Sequence, residues 1–186
     1  MPFYTASLDH APVLEDTHTR LARLEAIQDI HELRQRYAQA ADDKYLVQGG
    51  RKQGAALENA VRAQLACFTH DALWRGGPFG GDIIGEQALL AFFSRSPWLF
   101  TFHSYANIEL RVNGEGGEGK WRLVEIGVRE SDGVTVLLTG RTSETYRKVA
   151  GRGWLISGFA FDDLHSLELS HDPQALRCLI PSGENV

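Results

Sequence analysis

The sequence predicts one α+β domain, with three helices leading into a curled antiparallel sheet. Two observations carry that expectation. Apolar residues recur at helical spacing as far as Ser94, and from Phe100 onward they alternate with polar ones in long runs joined by short turns. Helices first and strands after, without βαβ alternation, define the α+β class, and long strands joined by short turns form an antiparallel meander.

The first helix is expected from about His18 to Ala41. Leu21, Leu24, Ile27, Ile30, Leu33, Tyr37 and Ala41 form its apolar stripe, while Arg20, Arg23, Glu32, Arg34 and Arg36 fill the other faces. Tyr37 therefore sits on or beside the buried stripe. Gln48–Gly49–Gly50 breaks the pattern. A second helix spans Gln53 to Ala66, with Leu57, Ala60, Val61 and Leu65 inward. Phe68–Trp74 runs into the turn-rich Arg75–Gly76–Gly77–Pro78, and a third helix, Glu86 to Ser94, buries Leu89, Phe92 and Phe93 before Pro97 stops it.

In Phe100–Val112, Phe102, Ala106, Ile108, Leu110 and Val112 share one face, and Thr101, His103, Tyr105, Asn107, Glu109 and Arg111 the other. Trp121–Glu130, Val134–Lys148 and Trp154–Asp163 are the further strands, with Ser131–Asp132–Gly133 supplying a hairpin turn. A curved sheet that the helices cannot fill leaves a pocket, the usual place for a small ligand. Phe100, Phe102, Ile108, Leu110, Val112, Val124, Ile126 and Val128 supply more apolar surface than three helices cover, so a homodimer or homotrimer is expected.

At 186 residues the chain suits one domain, and a hydrophobic share of 43% with 23% charged is ordinary for a globular protein. A net charge of −5 with no basic run argues against a nucleic-acid partner. The longest apolar stretch, Ala88–Phe93, is too short to span a bilayer, and Met1–Asp16 lacks the basic start and apolar core of a secretory signal. The two cysteines, Cys67 and Cys178, fit no zinc spacing, and a cytoplasmic protein without a structural disulfide is expected. Residues 1–17 read as a loosely held arm, 18–170 as the domain and 171–186 as a tail.

Four candidates stand out for chemistry: Tyr37, the pair Asp42–Asp43, His103 and Asn107. Histidine suits proton transfer near neutral pH, and an aspartate on one ring nitrogen fixes the tautomer and leaves the other free as base. A lone strand histidine is also commonly a half-exposed or satisfied core residue. Tyr37 by itself reads more readily as core than as catalytic. Asp42 and Asp43 close a helix, the end where the macrodipole disfavours carboxylates, so either something else holds them or they lie in a solvated turn. Among the other histidines no pair has ligand spacing beside a carboxylate, and no metal site is expected.

The element order resembles the SnoaL-like, nuclear-transport-factor-2-like superfamily of cone-shaped folds. The residues that carry the resemblance are Ile27–Gln28–Asp29–Ile30 with Arg36–Tyr37–Ala38–Gln39–Ala40 and Asp42, then Phe68–Thr69–His70–Asp71–Ala72–Leu73–Trp74 and Ile84–Gly85. Phe102–His103–Ser104–Tyr105–Ala106–Asn107–Ile108 resembles the family's histidine strand, and Gly140–Tyr146 with Gly153–Trp154 its last hairpin. The nearest branch holds scytalone dehydratase, the bile-acid dehydratase and hexachlorocyclohexane dehydrochlorinase. The resemblance implies cofactor-free elimination by an Asp–His dyad on a small hydrophobic cyclic substrate. His103 would be the base, Asp42 its orienting partner with Asp43 as the alternative, and Tyr37 would polarise the substrate. Asn107, Tyr105 and Trp74 would line the pocket.

Two features depart from the family pattern. Asp42 and Phe68 stand 26 positions apart, which makes Gln48–Ala63 an insertion expected to rim the pocket, and the aspartate–tryptophan pair that commonly follows the first aspartate is missing. The same resemblance admits an isomerase or polyketide cyclase, and a non-catalytic subunit like the β-subunits of ring-hydroxylating dioxygenases.

Overall fold

The computed structural model describes residues 16–77 and 80–170, so Cys178, the tail and nearly all of the arm lie outside the described residues. Helix α1 runs Thr17–Asp42 and α2 Gly54–Leu65; strands β1 Phe68–Arg75 and β2 Asp82–Ile84 precede α3, Glu86–Ser94. Strands β3 Trp98–Asn113, β4 Gly116–Arg129, β5 Thr135–Val149 and β6 Gly153–Ser170 complete the fold. The expected α+β order is present, three helices lying against a single sheet.

The sheet has six strands in the order β2-β1-β6-β5-β4-β3. From β3 to β6 every neighbour is antiparallel, as the meander predicts, but β1 joins β6 in parallel, so the sheet is mixed. That pairing brings Trp74 opposite Phe159, and their rings stack at 4.1 Å.

Helix α1 starts where the Asp16 carboxylate accepts the N–H groups of His18 and Thr19, a cap that contributes about 1 kcal/mol. Its stripe corrects the sequence reading in two ways. Leu21 and Leu24 are exposed, and the helix buries its face only from Ala26 onward. Arg34, assigned to a solvent face, is buried. Its guanidinium lies 3.2 Å from the Glu144 carboxylate, over the rings of Tyr105 at 3.7 Å and Tyr37 at 4.5 Å. Glu144 also accepts from Tyr146 Oη at 2.6 Å and Thr142 Oγ1 at 3.0 Å, and Tyr146 accepts from Trp121 Nε1 at 2.7 Å. This buried network ties α1 to β4 and β5 under the main core.

Strand β3 also departs from its alternation. Phe102 and Ile108 are exposed, whereas Thr101, His103 and Tyr105 face inward. The pairing with β4 slips between Asn107 and Glu109, where one extra residue enters β3. Beyond that bulge Leu110 and Val112 turn back to the core. The bulge lets both phases turn inward along one strand, one on each side of it.

Among the described residues no helix is long and apolar enough to cross a membrane.

Candidate active site

Asp42 is the last residue of α1, and three groups of β3 hold its carboxylate there. Oδ1 lies 2.6 Å from His103 Nδ1 and accepts from Thr101 Oγ1 at 2.8 Å, while Oδ2 accepts the His103 backbone N–H at 2.9 Å. These bonds offset the unfavourable helix end. A carboxylate on Nδ1 leaves Nε2 as the proton-accepting atom of the neutral ring.

On the opposite side of the ring, His103 Nε2 lies 3.4 Å from Glu125 Oε2. His103 and Glu125 are direct cross-strand partners, and both are almost wholly removed from solvent. Burial disfavours the imidazolium, but Glu125 first and Asp42 next outweigh it, so the His103 pKa is raised. Burial also raises the Glu125 pKa against the pull of His103. The pair thus favours holding a proton between them.

Both residues line a partly open cavity of about 80 Å³ whose wall carries several aromatic side chains. Tyr37, Trp74 and Tyr105 line it too. Burial pushes the Tyr37 hydroxyl well above its ordinary value, so it is a proton donor at neutral pH. Tyr105 stacks parallel to His103 at 6.2 Å. Pro97, Trp98 and Phe161 line both this cavity and an open groove of about 540 Å³. They form the wall between the two spaces.

Two expected site residues lie elsewhere. Asn107 is exposed at the bulge, where its amide donates to the carbonyls of Glu109 at 3.1 Å and Lys120 at 3.4 Å. The extra residue leaves backbone carbonyls that the amide satisfies, so it is turned away from the cavity. Asp43 is the exposed helix cap, its N–H bonded to Gln39 O, and it lines an outer groove without bonding to His103.

Glu125 and Lys44 escaped the sequence reading. Glu125 shares its phase with Trp121 and Leu123, so an acid interrupting an inward apolar set was its only signal. The exposed apolar residues Val124 and Ile126 masked that phase. Lys44 follows α1 within the segment that Gln48–Ala63 extends, and the N–H of Lys52 donates to its carbonyl at 2.9 Å. Its side chain is buried and lines the cavity. Gln64, near the end of α2 and just past Gln48–Ala63, closes another part of the wall. Among the described residues no group of three His, Cys, Asp or Glu side chains is spaced to hold a metal ion.

A histidine and two carboxylates thus meet on the inner wall of an α+β fold similar to that of a nuclear-transport-factor-2-like superfamily protein from Salmonella enterica, with TM-score 0.60, 16% identity and coverage of 75% and 91%. A family model described as a SnoaL-like domain matches residues 54–160, and the chain belongs to that family. A search of the curated proteins gave no match. Among solved structures, the chain is similar to a protein provisionally titled an aromatic ring hydroxylase from Novosphingobium aromaticivorans, with TM-score 0.63, 21% identity, and 77% of this chain and 94% of that one covered. It is similar to a protein provisionally titled a scytalone dehydratase from the same species, with TM-score 0.63, 16% identity and coverage of 88% and 97%. It is also similar to hexachlorocyclohexane dehydrochlorinase LinA-type3 from Novosphingobium barchaimii, with TM-score 0.62, 16% identity and coverage of 80% and 94%. At these identities the likeness establishes the fold.

Proposed function

We propose that the protein is a cofactor-independent lyase that eliminates water or hydrogen halide from a small, largely apolar cyclic substrate. The observation that carries this reading is the His103 ring, held by Asp42 at 2.6 Å on one nitrogen, with Glu125 on the other, at the wall of a cavity rich in aromatic side chains. Dehydratase-type and dehydrochlorinase titles among the structural neighbours support the same direction.

In this mechanism the Nε2 lone pair takes a proton from the carbon next to the one bearing the leaving group. The C–H electrons form the new double bond and the bond to the leaving group breaks. Where the leaving group is hydroxyl, Glu125 in its protonated form supplies the proton that makes it water. The imidazolium then returns its proton to the Glu125 carboxylate across the 3.4 Å gap, which restores both groups. Asp42 stabilises the imidazolium throughout, and Tyr37 donates toward the substrate's polar group. Positioned general-base catalysis of this kind contributes roughly 10² to 10⁴-fold.

The test is mass spectrometry on cyclic β-hydroxycarbonyl and polyhalogenated compounds incubated with wild type and His103→Ala. Loss of water or hydrogen halide that depends on His103 supports the reading; activity retained in the variant removes it. An isomerase would return product of unchanged mass. The likeness to the protein titled an aromatic ring hydroxylase favours one second reading, an accessory subunit without catalysis. That reading expects co-purification with a larger iron-containing chain and no turnover by the isolated protein.

A further inference from the structure

The cavity at His103 is too small for a cyclic substrate. It measures about 80 Å³, whereas an apolar protein cavity that takes up benzene measures about 150 Å³. A ring that also carries a leaving group cannot be held by that space alone. Beyond the wall of Pro97, Trp98 and Phe161 lies the open groove of about 540 Å³, a volume usual for a small-molecule site.

The sheet builds this groove as a continuation of the cavity wall. Gly127 on β4 pairs with Val136 on β5, and its missing side chain leaves the space that the Trp98 ring fills. Trp98 thereby clusters with buried Val136 and Leu138, and Leu164 of β6 packs against them. All four line the groove. The aromatic parts of the shared wall differ in freedom. Trp98 is 8% exposed and seated on Gly127. Phe161 is only half-buried, its ring nearly perpendicular to those of Phe159 at 4.9 Å and Trp74 at 5.9 Å. Phe161 is therefore the side chain free to turn aside and join the two spaces.

Charge decides what the groove accepts. Arg129, its one cation among the described residues, is already bound to Asp132 and Glu168. Asp163 is paired with Arg141, and exposed Asp162 accepts from Ser143 Oγ at 2.8 Å. The other polar side chain lining it is the hydroxyl of Ser166. No cation is left to hold an anionic ligand, whereas the leucines and aromatic rings suit an uncharged, apolar one.

We infer that the groove is the outer compartment of the same site: it holds an uncharged apolar body attached to the reacting ring, Leu138 and Leu164 contact that body, and Phe161 yields so that the ring reaches His103. This deepens the lyase reading and rests on His103 marking the substrate site. It narrows the substrate to neutral cyclic compounds that bear an apolar substituent.

The probes are trans-4-phenylcyclohexanol and cyclohexanol, which share the hydroxyl-bearing ring and differ in the apolar body. Neither has a carbonyl to acidify the neighbouring C–H, so binding alone is read, by calorimetry and by the imidazole NMR signals of His103. In wild type the phenyl compound should bind about tenfold tighter or more and should shift the His103 signals. Leu164→Arg should cancel that advantage, and Phe161→Ala should tighten cyclohexanol about tenfold by merging cavity and groove. No binding by wild type, equal affinity for the two alcohols, or binding of the phenyl compound with the His103 signals unmoved overturns the inference, whether or not the variants fold. A folded Leu164→Arg that keeps the advantage, or a folded Phe161→Ala without the gain, overturns it as well. So does binding that vanishes as rising protein concentration lets a second copy cover the groove. Turnover enters none of these readouts, so loss of the lyase reading, seen as elimination independent of His103, is told apart from failure of the groove.

Discussion

His103 and Glu125 pair directly across strands β3 and β4, with Nε2 and Oε2 3.4 Å apart on the inner face. Glu125 is the largest favourable influence on the imidazolium, so Glu125→Gln should lower the His103 pKa. A group whose folded pKa is raised adds stability fully below its unfolded value, about 6.5, and that stability is lost as pH rises through the folded value. Glu125→Gln should shrink this contribution. Imidazole NMR titration with denaturant unfolding across pH 5 to 9 checks both; an unchanged His103 midpoint would show that the pair is uncoupled.

The carboxylate of Asp42 accepts from three groups of β3, so its variants should separate chemistry from stability. Asp42→Ala strands the Thr101 hydroxyl and the His103 N–H and should cost about 1–3 kcal/mol in unfolding free energy. Asp42→Asn keeps the size and an acceptor, so it should melt nearer to wild type. Turnover should fall by roughly 10²-fold or more in both, read by initial rates beside thermal melts.

Lys44 should leave a mark on alkaline stability. Burial lowers its pKa from 10.5 to about 8. Below both values the folded state carries a penalised charge; between them it sheds the proton more readily than the unfolded chain does. Unfolding free energy should therefore rise from about pH 8 to 10.5, and Lys44→Met should remove that rise. Urea unfolding at a series of pH values measures it.

Gly127 makes room for a cavity wall. A Cβ there would lie 2.9 Å from Trp98 Cε3, closer than ring and methyl can pack. Gly127→Ala should push Trp98 aside at a cost of about 1–3 kcal/mol. A lower melting temperature with altered tryptophan fluorescence is the expected outcome, and a wild-type melt would contradict the packing.

The outer face of the sheet carries an apolar row. Phe102 pairs with Ile126, Ile126 with Leu137 and Leu137 with Leu167, one residue on each of four adjacent strands. Phe102 is 56% exposed and Leu167 60% exposed. We expect a second copy of the chain to cover this face, giving a homodimer or homotrimer that Phe102→Glu with Ile126→Glu dissociates. Light scattering at micromolar concentration tests it, and a wild-type monomer would oppose it.

Local patterning was enough for much of this protein. The three helices, the β3 to β6 meander and the Asp42–His103 candidates follow from apolar period, turn residues and motif resemblance, because those signals lie within a few residues of the structure they specify. Pairings across the sheet are a different matter. Counted from the turn between β3 and β4, His103 would stand opposite Ile126; the extra residue near Ile108 moves it by one position to Glu125. A one-residue slip exchanges every side chain between faces, so that single bulge sends Phe102 outward, brings Thr101, His103 and Tyr105 inward and gives the histidine its second carboxylate. The burial of Arg34 against Glu144 and of Lys44 beside the cavity depends likewise on partners far along the chain. No local period records which long-range neighbour will compensate a buried charge, so only the folded arrangement decided that.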